Sequence, residues 1–96
     1  MNINIKAVKF HASEQLESFI NEKVSKLEKH VPDCLGAEVT LKVDKPSTEN
    51  NKIVDLKLTI KGYELFASKQ VNSFEEGVME CTDAIKAQIG KYKEKR

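Results

Sequence analysis

Over residues 39–44 and again over residues 54–61 the chain places an apolar side chain at every second position, whereas over residues 16–31 and 74–92 the apolar period lengthens to three and four. Val39, Leu41 and Val43 alternate with Thr40, Lys42 and Asp44; Val54, Leu56, Leu58 and Ile60 alternate with Asp55, Lys57, Thr59 and Lys61. A period of two with only one apolar side describes a strand buried on one face. Every layer that covers such strands has to lie on the same side of the sheet, and this removes most architectures from consideration.

The flanking segments supply the cover. Asn2 to Val8 also alternates, with Ile3, Ile5 and Ala7 on one side. Ser13 then offers an oxygen to the first turn of a helix whose stripe is Leu16, Ile20, Val24, Leu27 and Val31, with Phe19 on its border and Pro32 as its stop. Glu14 and Glu17 suit the positive end of the dipole. After the strands that start at Gly36 and Val54, Gly62 marks a turn into "YELFASKQ", where Leu65 and Ala67 point inward and Phe66 outward. The polar link "KPSTENN" between the two long strands reads as an exposed loop. A capping box, "SFEE", opens the last helix, and Phe74, Val78, Cys81, Ile85, Ile89 and Tyr92 carry its stripe almost to the terminus. Gly90 weakens those last turns by about 1 kcal/mol relative to alanine.

The order is βαβββα. A crossover helix between the first two strands makes them parallel, and the short later links make a meander. The expected fold is α+β: a two-layer sandwich with a four-stranded mixed sheet and both helices on one face. The other face is expected to be open and polar, bearing Lys6, Lys42, Lys57 and Lys61. With 96 residues in all, the chain reads as a single domain, 1–96.

Little in this sequence suits catalysis. His11 and His30 stand alone, and no metal-binding spacing, phosphate-binding glycine loop or nucleophile elbow occurs. Cys34 and Cys81 are far apart and belong to no C-x-x-C pair, so both are read as thiols, Cys81 as a small apolar residue on a helix face. No enzyme activity, cofactor, metal or small-molecule substrate is expected. Apolar runs are too short to span a membrane, nothing at the start reads as a signal peptide, and a cytoplasmic location follows as the expectation.

Charge carries more information, because the formal balance of +1 conceals an uneven distribution. Residues 73–85 hold four carboxylates and no cation, whereas residues 86–96 hold Lys86, Lys91, Lys93, Lys95 and Arg96 against Glu94. Helical geometry puts Lys86 and Lys93 on one flank of the apolar stripe, and Lys91 and Lys95 on the other. Lys23, Lys26 and Lys29 repeat the pattern on the first helix. Exposed lysines ordinarily serve solubility. Two lysine-bearing helices over one sheet, by contrast, offer a broad positive surface for phosphates, read by backbone and shape because no base-reading motif accompanies them.

The order βαβββα, with "FINEKVSKLEKHV", "LKVDK", "ELFAS" and "DAIKAQIGKYKEK", resembles the hibernation-promoting factor family over nearly the whole chain. The family's basic motif on the first helix is matched by Lys23, Lys26, Leu27 and Glu28, and that of its final helix by Asp83, Gln88, Lys91 and Lys93. Two basic positions of the latter pattern are Ala84 and Ala87 here, and Lys86 is basic where the pattern is not. The resemblance implies a non-enzymatic protein that binds the small ribosomal subunit and its rRNA in the mRNA and tRNA channel and inhibits translation in slow growth. Lys23, Lys26, Lys86, Lys91 and Lys93 are the expected rRNA contacts, and the free protein is expected to be a monomer. A protein-interaction module of the same fold, using the sheet face around Phe66 or the sheet edge, is the alternative, and a general binder of double-stranded RNA a third reading.

Overall fold

The computed structural model describes residues 1–44 and 49–94. Strand β1 (Asn2–Ala7) leads to helix α1 (Glu14–Ser25), followed by β2 (Cys34–Val43), β3 (Lys52–Ile60), β4 (Tyr63–Val71) and helix α2 (Phe74–Glu94). Among the described residues the strands form one sheet in the order β1-β2-β3-β4, with β1 parallel to β2 and the later pairs antiparallel. The α+β sandwich read from the periodicities is the fold.

Register explains how one face becomes the core. Ile5, Val39, Leu56 and Ala67 stand side by side across all four strands, as do Ile3, Ala37, Leu58 and Leu65. The helices lay Ile20, Val24, Val78, Cys81 and Ile85 on these rows, each at most 1% exposed. A fully buried Leu or Ile contributes roughly 1.5–3 kcal/mol. Gly77 lets α2 lie close against the sheet: a Cβ built there would lie 2.5 Å from Val54 Cγ2.

Local signals set the ends. Ser13 Oγ accepts from the Leu16 N–H at 3.1 Å, and Ser73 Oγ accepts from the Glu76 N–H at the same distance. Gly62 takes φ +78°, which a side chain would resist, in the two-residue link that pairs Ile60 with Tyr63. Phe10 and Phe74 stack at 5.2 Å where the two helices begin.

Several expectations are corrected. The first helix does not run unbroken to Val31; it tightens into a 3₁₀ turn at Lys26–Lys29, which lets Leu27 and Val31 both bury before the chain turns into β2. Strand β2 starts at Cys34, with an irregularity in its pairing before Gly36. Val43 continues the inward alternation but is 39% exposed, lying beyond Ala7–Leu41, the last pair that β1 makes with β2. Lys61 sits in the β3–β4 turn instead of on the sheet face. Of the polar link, residues 45–48 lie outside the described residues; Glu49 and Asn50 are exposed, and Asn51 is buried.

Both cysteines are buried free thiols. Burial pushes the Cys81 thiol up to about 11, while its Sγ–H points at the Val54 carbonyl at 3.3 Å. Because the folded state holds the neutral thiol, this contribution to stability is complete below the ordinary value of 9.0 and is lost as pH rises from there through about 11. The stability advantage of the native chain over Cys81→Ala, measured by urea unfolding, is therefore expected to stay constant up to that ordinary value and to shrink above it. A constant difference across the whole range would contradict the burial account.

Candidate nucleic-acid interface

The sheet topology fixes the direction of both helices. Helix α1 descends from the end of β1 to the start of the parallel strand β2, and α2 descends from the end of β4, so the two run parallel. Tyr63, at the start of β4, packs against Tyr92, at the end of α2, with ring centroids 5.0 Å apart. The acidic first turns, with Glu14, Glu17, Glu75 and Glu76, therefore lie at one end of the helix layer, and Lys23, Lys26, Lys91 and Lys93 lie at the other, with Lys86 midway along α2. Cations near helix C-termini complement the dipoles. That accounts for lysines in the last turns but not for which flank they occupy.

Two contacts fix the flanks. Gln88 hydrogen-bonds the backbone of Phe66 in edge strand β4, so its side of α2 overhangs that edge. Glu28 accepts from the α-amino group of Met1 at 2.8 Å, beside the opposite edge strand β1, and holds that amine above its ordinary pKa. At about 100° per residue, the opposite flanks face each other across the groove between the helices. Phe19, Lys23 and Lys26 border it from the first helix, and Met79, Lys86 and Lys93 from α2.

Four of the five expected contact residues thus line one groove. Lys23 is half-buried, with its Nζ 5.6 Å from the centre of the Phe19 ring. Among the described residues Lys26 makes only a long pair with Glu22, at 3.8 Å. Exposed pairs of this kind contribute about 0.3–0.5 kcal/mol, so the ammonium is readily surrendered to a phosphate. Lys86 and Lys93 are exposed, and neither they nor Lys23 and Lys91 pair with a carboxylate among the described residues. Lys91 stands apart on the β4 side, bordering a shallow cleft of about 140 Å³ with Tyr63, Leu65, Gln88 and Tyr92. Lys95 and Arg96 lie outside the described residues.

The open sheet face is polar, and its lysines are largely matched by carboxylates. Lys42 pairs with Asp55 at 3.2 Å and Lys57 with Glu38 at 3.4 Å. Asp55 also accepts from Ser68. With Lys6, Glu64 and Asp44, which accepts from Gln70, the face carries three cations against four carboxylates among the described residues, and Phe66 stands exposed among them. A single sequence lists the charges but not their register, and only the register shows that these lysines are already matched. Ala84 is partly buried on the β4 flank and Ala87 exposed on the back of α2, so neither borders the groove.

His11 and His30 are both exposed, and no group of three or more His, Cys, Asp or Glu among the described residues could hold a metal ion. No described helix is long and apolar enough to cross a membrane.

The sequence model of the Sigma 54 modulation protein / S30EA ribosomal protein family matches residues 3–96. The chain is similar to a ribosome hibernation promoting factor of Azotobacter vinelandii, 24% identical over 96 residues, covering all of this chain and 86% of that protein. It is also 25% identical to one of Pseudomonas putida, again over its whole length and 90% of the relative. Among solved structures, a ribosomal subunit interface protein from Coxiella burnetii superposes with a TM-score of 0.85 at 18% identity, covering 97% of this chain and 98% of the other. The N-terminal domain of Thermus thermophilus Protein Y does so at 0.81 and 13%, covering 96% and 99%. At these identities the two structures bear on the fold alone.

Proposed function

Because the chain belongs to the Sigma 54 modulation protein / S30EA ribosomal protein family, we propose that residues 1–96 act as a single ribosome-binding domain that occupies the mRNA and tRNA channel of the small subunit and inhibits translation, promoting hibernation in slow growth. It works in the cytoplasm, as a monomer when free, without catalysis, cofactor, membrane or small-molecule substrate. The observation that carries this reading is the gathering of Lys23, Lys26, Lys86 and Lys93 on one groove, none of them held by a close ion pair among the described residues. Phosphates of rRNA replace their water and counterions there, and Lys91 extends the contact around the end of α2. The relatives' names as hibernation promoting factors support the same assignment.

The test is sedimentation of the purified protein with separated ribosomal subunits through a salt series. Saturable association with the small subunit is expected, falling as salt rises and competing with initiator tRNA. Protein that remains at the top of the gradient at every salt concentration overturns the proposal.

The charge-paired sheet face with exposed Phe66 favours one second reading, a protein-interaction module of the same fold. Recovery of a defined protein partner without rRNA would support it.

A further inference from the structure

Strand β4 is an edge of the sheet, and an edge strand presents a row of backbone groups to any chain that can pair with it. On β4 the outward row belongs to Glu64, Phe66, Ser68 and Gln70, since Phe66 turns its N–H and carbonyl away from β3. Gln88 meets that pair with both ends of its amide: Nε2 donates to the Phe66 carbonyl at 2.7 Å, and Oε1 accepts from the Phe66 N–H at 3.3 Å. A primary amide is the one neutral side-chain group that offers a donor and an acceptor in the spacing of a peptide unit. Gln88 therefore stands where a neighbouring strand's backbone would stand, at the middle of the edge.

We propose that the β4 edge is a self-association surface for a second copy of this chain, pairing antiparallel through β4, and that Gln88 holds it closed. The register argues for this occupant. A two-fold axis at Phe66 sets Phe66 beside Phe66 of the second copy, Leu65 beside Ala67, Glu64 beside Ser68 and Tyr63 beside Lys69. No like charges meet, and Tyr63 faces a cation. The two Phe66 rings, each 56% exposed in the single chain, cover one another at the centre. Backbone groups at Phe66 gain strand partners only when the Gln88 amide leaves them. This inference is independent of the ribosome reading.

The measurement is sedimentation equilibrium of Gln88→Met, which keeps the side chain's length and removes both hydrogen bonds. An apparent mass that doubles with rising concentration is expected, while the native chain stays at a single mass. The double variant Gln88→Met/Ser68→Pro should return to the single mass, because proline removes an outward N–H without disturbing the β3 ladder. A Gln88→Met protein with a native circular dichroism spectrum that stays single at all concentrations overturns the proposal. So does a dimer that persists in the double variant. If Gln88→Met fails to fold, Gln88→Glu decides: it can still accept from the Phe66 N–H but sets a carboxylate against the carbonyl, and it too must dimerise.

Discussion

Lys86→Glu/Lys93→Glu is expected to bind the small ribosomal subunit at least tenfold more weakly than the native chain, with the slope of log affinity against log salt flattened by about two units, one per lost phosphate contact. Both ammonium groups border the groove between α1 and α2 and pair with no carboxylate among the described residues, so nothing in the free protein depends on them. Reversal adds repulsion to the lost attraction. The comparison that decides is Lys6→Glu/Lys42→Glu on the open sheet face, which alters net charge by the same amount. If attraction arises at the groove, that variant binds nearly as well as the native protein, since Lys42 is engaged with Asp55. Equal weakening of both variants would mean that net charge governs association and that the helix layer is not the contact surface. Salt must be matched in the two experiments, because the electrostatic share of affinity has no meaning without it.

The second large effect concerns two glycines of α2 that look alike in sequence. Gly77→Ala is expected to destabilise the fold by about 1–3 kcal/mol through overpacking, partly offset by the gain of about 1 kcal/mol in helix propensity. Its new Cβ would stand 2.5 Å from Val54 Cγ2, 3.1 Å from Val54 Cβ and 3.2 Å from Val71 Cγ2. Val54 is fully buried in the sheet and has no solvent side to retreat into. Gly90→Ala meets nothing within 4 Å and is expected to stabilise by up to about 1 kcal/mol, tightening the turns that carry Lys91 and Lys93. For a domain of this size 1 kcal/mol moves Tm by about 4–8 °C, so thermal melts will show shifts of opposite sign. A Gly77→Ala protein as stable as the native chain would mean that α2 can lift off the sheet at little cost, contrary to the packing described here.

The resemblance noted in the sequence and the family assignment agree on what kind of protein this is, yet they speak to different residues. Lys91 and Lys93 match the family pattern and Lys86 does not, but the structure sets Lys86 with Lys93 on the groove and leaves Lys91 on the far flank. Gln88 matches the pattern as well, and its hydrogen bonds give it a place in the edge of the sheet instead of in the basic surface.

The sequence by itself determined the elements, their order and the face that each one buries. These follow from periods of two and 3.6 and from caps such as Ser13 and Ser73, which act over a few residues and leave a local trace. It also determined the two flanks of α2, since helical rotation is fixed by the stripe. Tertiary structure alone decided which charges are free. Lys42 and Asp55 lie on different strands and meet only through the β2–β3 register, which also pairs Lys57 with Glu38. The same holds for Gly77 and Gly90: helix propensity treats them alike, and only the distance from helix to sheet gives one a wall and the other open space. Contacts between distant segments depend on how whole elements dock, and docking is set by the sum of the core, not by any neighbouring residue.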